Sequence, residues 1–170
     1  MDMLSLMKER YSVRKYADTP VEREKLQLVL EAACVAPTAK NEQPFRIHVV
    51  EKEADLLRLR ELTPCAFNAP VVLMFCGVEG EAAHSARDGM SWDQMDTSIA
   101  LTHAVLEAQS LGLGTCIVGW YNKQEVHDAF HLPEGEKIWA LLPLGYLAED
   151  AVPSQMHGKR RSVEELVSWL

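Results

Sequence analysis

The sequence predicts a single domain of mixed α and β structure with about four strands, and three observations carry the prediction. Segments with apolar residues at helical spacing take turns along the chain with segments whose apolar residues run continuously. Capping signals stand at the starts of several of the helical segments. Nothing divides the 170 residues: no internal repeat, low-complexity tract or Pro/Gly/Ser-rich linker is present, so one unit spanning residues 1–170 is expected.

Taken in order, Thr19-Pro20-Val21-Glu22 predicts a helix start, with Thr19 as cap, Pro20 at the first helical position and Glu22 where a capping box needs it. Leu26, Val29, Leu30 and Ala33 then form one buried stripe, and Pro37 stops the helix. Phe45 to Val50 reads as a strand, Glu53 to Leu62 as a short helix, and Ala69 to Gly77 as a second strand whose Val-Val-Leu-Met-Phe run points to burial on both faces. Ser91-Trp92-Asp93-Gln94 caps a long helix. Met95, Ile99, Leu101, Ala104, Val105 and Ala108 cover most of its surface before Gly112 ends it, which makes it the central helix. Thr115 to Trp120 and Ile138 to Leu147 read as two more strands, separated by a helix that Asn122 and Glu125 cap.

A formal charge of -8, from 25 acidic against 17 basic residues, leaves no general footprint for nucleic acid or an anionic membrane, so any bound anion must be caught locally. Cys34, Cys65, Cys76 and Cys116 are widely spaced without a C-x-x-C pair, which fits reduced thiols better than a disulfide frame or a zinc site. Met1 to Arg10 mixes charges with apolar residues, unlike a signal peptide, and no apolar run reaches membrane-spanning length. A cytoplasmic protein is expected.

Four segments carry candidate chemistry. In Arg10-Tyr11-Ser12-Val13-Arg14, an extended backbone turns Arg10, Ser12 and Arg14 the same way, and two guanidiniums with a hydroxyl suit a phosphate or polyol. Taken alone, the same residues also suit a solvated basic edge. Pro37-Thr38-Ala39-Lys40-Asn41-Glu42-Gln43-Pro44-Phe45 sets two amides two residues apart before a strand, and amides suit the mixed edge of a heterocycle, although a plain loop has the same composition. In Leu111-Gly112-Leu113-Gly114-Thr115-Cys116-Ile117-Val118-Gly119-Trp120 the glycines follow a helix and do not make G-x-G-x-x-G, so a dinucleotide fold is rejected. Gly119 permits a flat ligand to approach the backbone, and equally suits a tight turn. Gly158-Lys159-Arg160-Arg161 precedes a capping box at Ser162 to Glu165 and is either a phosphate contact or a solvated tail. His127 and His131 lack the glutamate and third ligand of a zinc protease, Gly89 to Asp93 lacks the last glycine of a nucleophile elbow, and His48, His84, His103 and His157 form no sequence cluster.

In this order, the segments resemble the FMN-dependent nitroreductase family. That family carries R-x-S-x-R/K near its start, then P-S/T-x-x-N-x-Q-P, then a G-L-G-T-C-like turn, matched here by Arg10–Arg14, Pro37–Pro44 and Leu111–Cys116. Trp92 and Asp96 leading into the central helix and the late basic cluster extend the likeness over nearly the whole chain. The resemblance implies an α+β fold with a central mixed, mainly antiparallel sheet flanked by helices, in an intertwined homodimer with FMN at the interface. It implies that Arg10 and Ser12, with neighbouring Tyr11, meet the phosphate and ribityl chain, that Lys159, Arg160 or Arg161 reaches the phosphate, and that Arg14 lies near the pyrimidine edge. A cation there stabilises the negative charge of reduced flavin. Thr38, Ala39 and Asn41 become the contribution of the partner chain, Pro37 and Gln43 belong with them to the cofactor-binding set, and Val118 and Gly119 offer backbone groups to the ring. The function implied is hydride transfer from NADH or NADPH through FMN to a nitroaromatic, quinone or similar small acceptor, with no general acid or base. The alternatives are another flavin reaction such as dehalogenation, or a non-catalytic flavin-binding or sensor protein. Phe45 stands where the family often has Trp, and the stretch from Val78 to Gly89 is short, which implies a more open site.

Overall fold

The computed structural model describes residues 2–170. In chain order they form α1 (Met3–Glu9), α2 (Arg23–Cys34), β1 (Phe45–Val50), α3 (Glu53–Leu62), β2 (Val71–Val78), α4 (Asp93–Ser110), β3 (Gly114–Thr115), α5 (Lys123–Ala129), β4 (Glu136–Gly145) and α6 (Val163–Leu166). The strands make one antiparallel sheet in the order β1-β2-β4-β3. A parallel bridge between Ser12 and Thr115 adds the segment after α1 to its edge, so the sheet is mixed and mainly antiparallel, and the fold is α+β as expected.

Strand β2 lies in the middle because its residues suit burial on both sides. Val71, Leu73 and Phe75 face a core built with α2 and α4, through Leu26, Val29, Ala33, Ala100, Ala104 and Ala108. The alternate residues Val72, Met74 and Cys76 face a second core with Leu56 and Leu59 of α3 and Val126 of α5. This is the period-2 alternation of a strand applied to an apolar run. The small residues of α4 let it lie close to both sheet and α2.

The register slips between Phe75 and Cys76, which pair with Ala140 and Ile138 and leave Trp139 as a bulge. Gly77 makes room for it: a Cβ there would stand 2.3 Å from the indole nitrogen of Trp139. That nitrogen donates to Asp93 Oδ2 at 3.0 Å, which ties the bulge to the start of α4.

Several boundaries differ from the sequence expectation, each for a local reason. Helix α2 begins at Arg23, not after a Thr19 cap, and its N-cap Glu22 makes no side-chain cap bond. The Glu22 carboxylate instead accepts from the Tyr146 hydroxyl at 2.7 Å, and Lys25 Nζ donates to the same hydroxyl at 2.6 Å. Helix α4 begins at Asp93 with Trp92 in the cap position, while the hydroxyl of the expected cap, Ser91, accepts from Asp93 N at 3.4 Å and donates to Asp93 Oδ1 at 2.7 Å. The segment from Thr115 to Trp120 is not a continuous strand. Only Gly114 and Thr115 pair in a ladder, and the next rung meets Pro143, which accepts from Cys116 N but has no N–H to return. Strand β4 spans Glu136–Gly145, where Ile138 to Leu147 was expected. Helix α1, held by Asp2 accepting from Ser5 N at 3.0 Å, lies in a stretch read only as lacking signal-peptide character.

Other signals act as read. Gly112, at φ 76°, ends α4 with N–H bonds from Gly112 to Gln109 and from Leu113 to Ala108, the crossed pair of a Schellman motif. Asn122 caps α5, and the Ser162–Glu165 capping box starts α6. All four cysteines are free thiols. Among the described residues no helix is long and apolar enough to cross a membrane.

Candidate functional site

The segment from Arg10 to Arg14 is held against the sheet through Val13. Val13 N donates to Thr115 O at 2.9 Å, the Val13 side chain is buried, and the Tyr16 hydroxyl reaches back to Val13 O at 3.0 Å and to Pro143 O at 3.1 Å. With Val13 pointing inward, Ser12 and Arg14 are left to line the opposite side. Gly114 allows this close docking, since a Cβ there would stand 2.7 Å from Val13 Cγ2.

A cavity of about 220 Å³ opens on that side, lined by Arg10, Tyr11, Ser12 and Arg14 together with Ser154, Met156, His157 and Arg160. The two ends of the sequence therefore converge. Of the three cations 159–161, Arg160 is the one that lines the cavity, its guanidinium held by donation to Lys159 O at 3.0 Å. Tyr11 joins the ends, donating to Ala151 O at 3.3 Å and setting its ring edge-on to His157. The lining carries three guanidiniums and no carboxylate, a local positive hollow on an acidic protein that suits a phosphate or another compact anion.

Behind the clamp lies the Cys116 thiol. Burial raises its proton affinity, while Arg14, a hydrogen bond with Ser12 and Arg10 pull the other way. The basic pentapeptide thus has a buried wall as well as an exposed lining. His157, Ser154 and Met156 were not singled out in the sequence, and their only signal is that they precede the basic run.

The second motif folds into a loop whose geometry is unusual. Lys40, Asn41 and Gln43 all have positive φ, at 53°, 58° and 53°, a region that non-glycine residues enter at a cost and that clusters at functional sites. Short bonds hold it: Gln43 N donates to Thr38 Oγ1 at 3.0 Å, Gln43 Nε2 to Asn41 O at 3.0 Å, and Ala39 N to Asp96 Oδ1 at 3.0 Å. Asp96 is buried at the start of α4 and its other oxygen has no partner among the described residues. It is the anchor of the loop. Pro37, Thr38, Ala39, Asn41 and Gln43 are not among the residues lining the Arg10–Arg160 cavity.

Val118 and Gly119 divide the role expected of them. Val118 is buried, and both its backbone groups bond Leu141, its N–H at 2.9 Å and its carbonyl at 3.0 Å. Its N–H is therefore spent on the sheet. Gly119 is exposed, with open space where a side chain would be, and is the member of the pair that a flat group can approach.

This architecture is shared with known proteins. The model of the nitroreductase family matches residues 7–66 and 60–146. A protein of Thermus thermophilus named NADH dehydrogenase is 30% identical over 204 residues, covering 99% of this chain and 96% of its own. The crystal structure of a nitroreductase family protein from Clostridium difficile 630 superposes with a TM-score of 0.92 at 33% identity, over 99% of this chain and 98% of that one. An FMN-dependent nitroreductase from Clostridium difficile R20291 superposes at a TM-score of 0.75 with 25% identity, over 93% and 98% of the two chains. The matched residues include the arginine pentapeptide, the strained amide loop and the glycine turn at β3, and on these grounds the chain belongs to the nitroreductase family.

Proposed function

We propose that this chain is an FMN-dependent oxidoreductase that takes hydride from NADH or NADPH and passes it to a small oxidised acceptor such as a nitroaromatic or quinone. The observation that carries the reading is the convergence of Arg10, Ser12 and Arg14 with Arg160 around one cavity free of carboxylates. Arg10 and Arg160 hold the phosphate, Tyr11 and Ser12 meet the ribityl chain, and Arg14 is left to face the pyrimidine edge. Lys159 and Arg161 add long-range charge to the same end. FMN supplies the redox chemistry, accepting hydride and handing it on. The protein orients it and stabilises the charge it gains, for which the Arg14 guanidinium is placed.

At about 220 Å³ the cavity is below the roughly 300 Å³ at which sites for ligands of this size begin. It suits a phosphate and a polyol, so a three-ring system must lie outside it, toward the open backbone at Gly119. A second copy completes such a site. The loop of Thr38, Ala39, Asn41 and Gln43, pre-shaped yet outside the lining of the cavity of its own chain, is the partner's share, and Pro37 follows the helix that delivers it. The working form is then a homodimer of one-domain chains with two sites. Its NADH dehydrogenase and FMN-dependent nitroreductase relatives support this reading.

The test is an anaerobic visible spectrum of the protein with FMN, before and after NADH or NADPH. Retained yellow colour that bleaches on adding either nucleotide is the expected result, followed by re-oxidation with a nitroaromatic or quinone. Failure to retain FMN would overturn the cofactor assignment. Retained FMN that neither nucleotide reduces would overturn the reaction. Arg10→Glu replaces a charge-assisted contact with repulsion and is expected to weaken FMN at least tenfold in a fluorescence titration.

A further inference from the structure

At the opposite end of the sheet from the arginine cavity, three side chains that the sequence scatters are brought to one point. Pairing sets Cys76 of β2 beside Arg46 of β1 and Ile138 of β4, so His48 and Glu136 each stand two residues along from a rung of Cys76. In a twisted sheet such diagonal neighbours on one face come within side-chain reach. The bulge at Trp139 brings Glu136 and Ile138 onto the face of Cys76. The His48 ring nitrogen, the Cys76 sulfur and a Glu136 oxygen all lie within 4.8 Å of one another, and His48 Nε2 is 2.5 Å from Glu136 Oε2.

We propose that His48, Cys76 and Glu136 form a binding site for a divalent transition-metal ion of the zinc class. Tetrahedral zinc, with bonds of about 2.0–2.3 Å, requires ligand atoms roughly 3.3–3.8 Å apart. The three atoms already lie within 4.8 Å of one another, and their backbones are paired in neighbouring strands, so the adjustment zinc requires falls on the side chains. Imidazole, thiol and carboxylate together are a mixed N, S and O set, which selects zinc and its neighbours and disfavours calcium and magnesium.

The surroundings suit an ion. Cys76 is fully buried while the His48 side chain is 34% exposed. Glu136 also opens on a hollow of about 250 Å³ lined by Lys123, His127 and Trp139. An ion can therefore enter from solvent, and a water can hold the fourth position. The buried Tyr121 hydroxyl, which packs on the same apolar cluster as Cys76, has no hydrogen-bond partner among the described residues. A metal-bound thiolate or water is an acceptor of the kind it lacks. Glu136 stands five residues along β4 from Leu141, the bridge partner of Val118, roughly 17 Å at the rise of a strand. The metal site is thus separate from the proposed flavin site, and its ion would clamp β1, β2 and β4 together.

The experiment uses the full-length protein, stripped with a chelator and titrated with zinc sulfate against a chromophoric competitor. One zinc per chain is expected, bound at micromolar concentration or tighter, with a thermal midpoint that rises with free zinc. His48→Gln and Glu136→Gln should weaken binding at least tenfold, and His84→Gln should leave it unchanged. Cobalt(II) should give a thiolate-to-cobalt charge-transfer band that survives Cys34→Ser, Cys65→Ser and Cys116→Ser, which by elimination reports Cys76 as the ligand even where Cys76→Ser fails to fold. Absence of stoichiometric zinc, affinity unchanged by His48→Gln, or a missing cobalt–thiolate band would each overturn the proposal.

Discussion

Gly114 shows how one missing side chain positions a site. Its Cβ would overlap Val13 Cγ2 at 2.7 Å and Val13 Cβ at 2.9 Å, and Val13 is the inward-pointing residue between the two that line the cavity. Gly114→Ala must displace the whole pentapeptide, since the opposing atoms belong to a stiff β-branched side chain. The expected cost is about 1–3 kcal/mol in denaturant unfolding, as for other overpacked interiors, with a further loss of FMN affinity because Ser12 and Arg14 move too. Loss of stability with FMN affinity unchanged would separate the pentapeptide from the flavin. The sequence shows the glycine but not its neighbour, because the contact joins residues about a hundred positions apart.

Elements were legible where the decisive interactions are local. Phe45–Val50 and Glu53–Leu62 form where they were expected, because apolar pattern and chain punctuation suffice to bound them. The expected start failed at Thr19, where a distant group, Tyr146, engages the Glu22 carboxylate that the expected capping box needs, whereas the Ser91 hydroxyl does accept from Asp93 N at the start of α4. The expected strand after Thr115 failed because its partner carries Pro143. The same locality explains the site. Arg10, Tyr11, Ser12 and Arg14 were legible as a motif, whereas the choice of Arg160 and the inclusion of His157 needed the C-terminal segment to fold back. Tyr16 is the residue that docks the pentapeptide onto β4, through Val13 O and Pro143 O, and burial raises its pKa above the ordinary 10.0. The folded protein holds that proton more tightly than the unfolded chain, so the contribution of Tyr16 is fully present below pH 10 and is lost as pH rises beyond it. Urea midpoints for wild type should therefore fall between pH 9 and pH 11 by more than those of Tyr16→Phe. At neutral pH the variant should lose about 1 kcal/mol for the missing hydrogen bond. Equal alkaline losses in both proteins would show that the hydroxyl titrates as if exposed.

For the whole molecule, the exposed apolar residues include several on the first helix and on the C-terminal segment. Leu166 is 65% exposed, Trp169 91% and Leu170 fully exposed, and Met3, Leu4 and Met7 of α1 are exposed as well. Exposed apolar side chains mark surfaces that another chain covers where they form a contiguous patch. Helix α6 is only four residues long and buries none of them, so its own packing cannot hold it. The capping box at Ser162 fixes where that helix starts, and in the proposed homodimer the partner subunit would supply what it packs on. In the proposed homodimer, dimer and flavin site would be one thermodynamic unit, with Thr38 to Gln43 lent across the interface and Arg160 at the root of the same C-terminal segment. Leu166→Glu combined with Trp169→Glu should therefore weaken both properties together. Sedimentation should show a shift from dimer toward monomer at micromolar protein, and FMN affinity should fall in parallel and recover as protein concentration is raised. Loss of the dimer with FMN affinity unchanged would place the complete flavin site within one chain. A dimer that survives both substitutions would place the interface elsewhere, leaving α1 as the apolar surface to test.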